Sequence, residues 1–185
     1  MTRNGNPLQQ LFEEVVQECY HNGPDLKDAE LTSYVAGVLA DFSETEHLYC
    51  IRNAQGRPLR DVTDMLIASD PVYGDADSFE RERQVRKHIG DFSLFFAGMF
   101  PESAQWRHRN HQDGLRALMR AGKESYYIVS QFNVFEFEQE APLFGRLAEN
   151  FEACTYGLGL VRKELEKRRM LPTAPSTPNQ PPLLM

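Results

Sequence analysis

The nine residues Phe92-Ser93-Leu94-Phe95-Phe96-Ala97-Gly98-Met99-Phe100 constrain the fold more than any other stretch. They hold four of the chain's twelve phenylalanines. Val85, Ile89, Phe92, Phe96 and Met99 recur at steps of four, three, four and three, which places them on one helix face. Past Phe92 the apolar residues leave that stripe, with Leu94 on the opposite side and Phe100 to the flank. A helix that is apolar all round must be covered all round. The pattern predicts a central helix over about 78–100, solvated in its first half and buried in its second. A membrane span needs roughly twenty apolar residues. This run is shorter and follows directly on Arg81, Arg83, Arg86, Lys87 and Asp91, so it reads as core.

At 185 residues and 21.3 kDa the chain is sized for one domain. A chain of that mass buries roughly 70% of its unfolded surface, enough for a core without staples. The three cysteines are widely spaced and form no CxxC. Cys19 and Cys154 fall on apolar helical stripes and Cys50 in a strand-like stretch, which suggests a reducing compartment without structural disulfides. Met1 to Gln10 is polar and lacks the apolar run of a signal peptide, so a cytoplasmic protein is expected. The first fifty residues carry nine acidic side chains and two basic ones. An acidic front argues against nucleic-acid binding, which requires a dominant basic surface.

The rest of the chain is read as helices packed on that centre. Asn6-Pro7 starts one, with Phe12, Val15 and Cys19 on its stripe. Another begins near Asp28 and carries Leu31, Val35, Val38 and Phe42, with Tyr34 alongside. Leu48 to Arg52 has strand composition, and Asn53-Ala54-Gln55-Gly56 a turn composition, so a short β-hairpin is expected near 47–60, with Pro58 confining its second arm to an edge. Asp61 caps a short helix that Asp70-Pro71 stops. A further helix runs from about Gln112 to Ser130, with a bend at Gly122. Phe132 to Phe137 reads either as extended chain or as a loop docking its phenylalanines on the core. From Ala141 onward, Leu147, Phe151, Cys154, Leu158, Val161 and Leu165 follow a heptad-like seam on a helix of about 28 residues. Five prolines after Met170 exclude helix there. The expectation is therefore a mainly α, single-domain helical bundle over 1–170, with a long C-terminal helix and a Pro-rich extended tail over 171–185.

Candidate chemistry centres on the predicted central helix. His88 falls on its apolar side and Asp91 three residues on, close enough to meet. Such a pair suits an acid–base couple, a metal ligand with its supporting carboxylate, or a haem ligand. The more ordinary reading is a hydrogen-bonded core histidine. Arg81, Arg83 and Arg86 suit a carboxylate or phosphate, or pairing with acidic neighbours. Tyr126, Tyr127 and Ser130 suit a pocket lining or plain core. His108 and His111 have a metal-compatible spacing without a third ligand. A single Glu44-x-x-His47 is half of what a di-iron bundle needs. HExxH, GxSxG, GxGxxG and P-loop patterns are absent.

Three functions follow. The first is a non-catalytic interaction or regulatory module that binds a protein partner or forms a homo-oligomer, using Leu147, Leu158 and Leu165 as a dimer face and the tail as a docking segment. The second is a sensor holding a small ligand, haem or a metal ion near His88, Asp91, Arg81 and Tyr126. The third is an enzyme using His88 and Asp91 on an anionic substrate. The sequence patterns specify neither a cofactor nor catalytic residues.

Overall fold

The computed structural model describes residues 6–103 and 114–170. Trp106, His108, His111 and the 171–185 tail lie outside the described residues. Those described are mainly α-helical: α1 Pro7–Asn22, α2 Ala29–Phe42, α3 Thr45–Leu48, α4 Val62–Ser69, α5 Phe79–Met99, α6 Gly114–Gln131, α7 Ala141–Glu149 and α8 Phe151–Lys167. Among them no helix is long and apolar enough to cross a membrane.

Local chemistry sets the starts. Asn6, Asp28, Asp61 and Ser78 each use a side-chain oxygen to accept a backbone N–H of the first turn of α1, α2, α4 and α5, which satisfies donors that a helix cannot satisfy internally. Helix α5 is the hub, packing against α6, α8 and α4, while α1 pairs with α2 and α8. Every residue from His88 to Phe100 is buried, whereas the first two turns of α5 are largely open. That is the expected division between a solvated and a covered half. Gly98 lets α8 approach, because a Cβ there would run into Leu158. Truncating Phe92 or Phe96 in this core would destabilise by about 3–5 kcal/mol.

Four expectations are corrected. The hairpin near 47–60 is reduced to one antiparallel bridge between Arg52 and Pro58, closed by Gly56 at a φ of 76°. Residues 45–48 make a helical turn instead. Leu48, Tyr49 and Ile51 are buried, so their apolar composition fills the core and builds no ladder, and Pro58 has no N–H to extend one. The long C-terminal helix breaks at Asn150, whose backbone leaves the helical region (φ −102°, ψ 19°) while its side-chain amide donates to the Arg146 carbonyl at 2.9 Å. The break lets α7 lie on α6 and α2, and α8 on α5 and α1. Leu147, Leu158 and Leu165 are consequently core residues and cannot form a dimer face. Finally, α6 runs unbroken through Gly122, where a Cβ would meet Phe151 and Ser93; the glycine serves packing rather than a bend.

Candidate functional site

Asp91 lies on the covered half of α5 and is almost fully buried. Its Oδ1 accepts from Tyr34 Oη at 2.6 Å and from Tyr126 Oη at 2.7 Å, and its Oδ2 from Lys87 Nζ at 3.1 Å. One carboxylate thus ties α2, α5 and α6 together. Gly90 makes the geometry accessible, because a Cβ there would collide with the Tyr126 ring. Phe144 stands edge-on to Tyr34 with centroids 5.4 Å apart, and Tyr126 is flanked by Phe144 and Phe151. Burial, reinforced by the Asp91 charge, holds the Tyr34 and Tyr126 hydroxyls well above their ordinary pKa. The same charge raises Lys87 against its own desolvation. Three protonated donors therefore converge on one acceptor. A polar cluster closed in this way rigidifies a core.

His88 faces away from that cluster in its hydrogen bonding. Its Nε2 lies 3.1 Å from the Leu48 carbonyl and its Nδ1 3.5 Å from Cys50 Sγ. The ring packs against Phe42 and Phe92. His88 and Asp91 share no hydrogen bond; Asp91 acts on His88 only through its charge, which partly offsets the lowering of the His88 pKa by burial. The predicted pair is therefore two separate arrangements. A haem iron or metal ion at His88 would have to displace the Leu48 or the Cys50 contact. Among the described residues, no three His, Cys, Asp or Glu side chains converge as metal ligands would.

Arg81 lies at a different place, on the open half of α5. It donates to the Arg52 carbonyl at 2.9 Å and to Gln84 Oε1 at 3.2 Å, fastening the 50–60 segment to the helix. Arg83 is buried between Glu140, at 2.7 Å, and the Phe137 ring, 4.0 Å from its guanidinium carbon. A groove of about 370 Å³ runs past Arg81, Arg83, Lys87 and Phe137. Two of its cations are neutralised by Glu140 and Asp91. Tyr126, a candidate pocket residue, is fully buried and its hydroxyl is held by Asp91; its neighbour Tyr127 is exposed.

Residues 132–140 form neither a strand nor a fully docked loop. Phe137 is half-buried on Arg83, but Phe135 points outward in a short 3-10 turn, 90% exposed, at a φ of 52°. Val134, next to it in sequence, and Tyr127, eight residues earlier, are exposed. Sequence reasoning gave Cys50, Tyr34 and Phe135 no functional weight. The one available signal was the acidic setting of Val134 and Phe135, followed by Glu136, Glu138 and Glu140.

Comparison with protein-family models, with curated proteins and with solved structures finds no match to this chain.

Proposed function

We propose that the protein is a helical interaction or regulatory module that holds a protein partner at the connection between α6 and α7. The observation that carries this is Phe135. A large aromatic almost wholly in solvent contributes nothing to the core. A bulky side chain in the left-handed region is an outlier, and such residues cluster at functional sites. Aromatic side chains, Phe among them, are also enriched at protein interfaces. Val134 extends the apolar tip, and the exposed Glu136 and Glu138 surround it with negative charge. The complementary partner is an apolar pocket with a basic rim. A second copy of this chain is disfavoured there, since two such tips would bring like charges together.

The test is quantitative affinity capture with wild-type, Phe135→Ala and Val134→Asp baits, followed by binding of the purified captured protein. The reading expects one protein that binds wild type directly and both variants at least tenfold more weakly, an anchor loss of about 1.4 kcal/mol or more. Equal direct binding of all three baits would overturn it. Native mass spectrometry expects a monomer; a dimer abolished by Phe135→Ala would replace the foreign partner with a second copy.

A further inference from the structure

We propose that Cys50 and His88 form a thiol–imidazole pair at which small anionic disulfides exchange onto Cys50, with His88 as the base. The inference is independent of the partner site at Phe135.

Three free cysteines are present, and their settings differ. Cys154 is buried, its thiol pushed up to about 12 by desolvation. Cys19 is partly covered, its thiol pushed up by that burial and by the charges of Glu18 and Glu164, against the opposing charges of Arg168 and Lys167. Cys50 is exposed. Among the described residues it is also the one whose sulfur lies within hydrogen-bond distance of an imidazole, His88 Nδ1 at 3.5 Å, a distance open to a sulfur donor.

The protonation state of the imidazole follows from its partners. A carbonyl can only accept, so the Nε2 that faces Leu48 O carries the ring proton. In the neutral ring Nδ1 is then a bare acceptor, and the Cys50 S–H donates to it. Leu48 O therefore does what the third member of a nucleophile–base–orienter set does, fixing tautomer and ring direction. Leu48 ends α3 and stands two residues before the thiol, so one short turn supplies both nucleophile and orienter. Phe42 and Phe92 hold the ring from other sides.

Desolvation keeps both groups neutral at rest, raising the thiol and lowering the imidazole. The pair is thus of the kind in which the base removes the proton as the bond forms. Sγ attacks one sulfur of the incoming disulfide. The Sγ–S bond forms, the original S–S bond breaks, and its electron pair leaves with the departing sulfur. The thiol proton passes to His88 Nδ1 and from there to the departing thiolate. Cys50 is oxidised to a mixed disulfide and the departing half is reduced to a thiol, with the small disulfide as the oxidant. Asp91 and the Leu48 carbonyl favour the transient imidazolium, while Lys87 opposes it.

The preference for anions comes from Arg81, whose guanidinium donates to the Arg52 carbonyl two residues after Cys50 and whose charge acts on the Cys50 sulfur; Lys87 is already paired with Asp91. Among the described residues Arg81 has no carboxylate partner, its guanidinium being held by neutral oxygens. Its charge remains available to an incoming anion.

The experiment follows the rate of mixed-disulfide formation with dithiobis(nitrobenzoate), a dianion, and with neutral dithiodipyridine, on the full chain between about pH 6 and 9. Peptide mass spectrometry locates the adduct, and Cys50→Ser gives the background. The expected adduct is on Cys50. His88→Gln, which keeps a donor for Leu48 O but accepts no proton, should slow both reagents about tenfold or more near pH 7. Its rate should then track thiolate concentration, whereas the wild-type rate holds up until His88 protonates. Arg81→Gln should slow the dianion several-fold and leave the neutral reagent unchanged. Circular dichroism checks folding; if His88→Gln unfolds, the wild-type profile alone decides. A wild-type rate that simply follows one thiolate titration, or a folded His88→Gln with unchanged rates, overturns the base. An adduct mainly on Cys19 overturns the site. Equal effects of Arg81→Gln on both reagents overturn the anion preference.

Discussion

Asp91 and Phe135 break opposite rules. One is a carboxylate in the interior, the other an aromatic in water. Asp91 is compensated at every turn, by two tyrosine hydroxyls, an ammonium and a glycine that admits one of the rings. Nothing among the described residues compensates Phe135, which keeps an unfavourable backbone angle and buries almost none of its ring. The difference separates a residue that holds the molecule together from one that the fold does not need. A site can be polar, buried and perturbed in pKa and still be architecture, because its groups already satisfy one another.

That contrast can be broken in several places. Asp91→Ala leaves two buried hydroxyls and an ammonium without an acceptor, and should destabilise by about 3–5 kcal/mol in urea unfolding. A loss below about 1 kcal/mol would mean the cluster is not structural. Gly90→Ala drives a methyl group into the Tyr126 ring and should lose about 1–3 kcal/mol; Gly37→Ala, with open space around it, is the control and should be neutral or better.

The pH dependence sharpens the same point from two sides. Tyr20, Tyr34 and Tyr126 keep their protons in the fold well past the ordinary value of 10.0. Above that value the unfolded chain loses protons that the folded one retains. Stability should therefore fall by about 1.4 kcal/mol per pH unit for each tyrosine, and phenylalanine at each position should flatten the alkaline slope. His88 acts at the other end. Its pKa is depressed below 6.5, so its contribution is whole above that value. As pH falls the unfolded chain gains a proton first, and stability drops by about 1.4 kcal/mol per pH unit until the folded value is reached. His88→Gln should remove that acid slope.

Much of the interior was legible because helical burial is periodic. Val85, Ile89, Phe92, Phe96 and Met99 were placed on one stripe by spacing alone, and each is fully buried. The helix starts at Asn6 and near Asp28 and the cap at Asp61 were legible from local side-chain chemistry. The Asn150 break was not, since the seam of apolar residues continues through it with no proline or glycine to mark it. Nor were the two tyrosine partners of Asp91, which come from 57 residues before and 35 residues after it; Lys87, one turn away on the same helix, was within reach of spacing but was passed over. Spacing along one helix predicts neighbours on that helix, so it offered His88. Only tertiary packing brings Tyr34 and Tyr126. Cys50 was misjudged as part of a strand because Leu48, Tyr49 and Ile51 have strand composition, while the fold uses them as core.

Under the proposed function, the Asp91 cluster serves the fold and the α6–α7 tip serves recognition. Phe135→Gly tests it most directly, because glycine adopts the left-handed angle freely and removes the ring. Urea unfolding and direct partner binding should be measured on the same preparation. Stability should be held or raised by up to about 1 kcal/mol while binding becomes at least tenfold weaker. A variant that loses stability while binding as wild type does would make Phe135 a structural residue and contradict the claim.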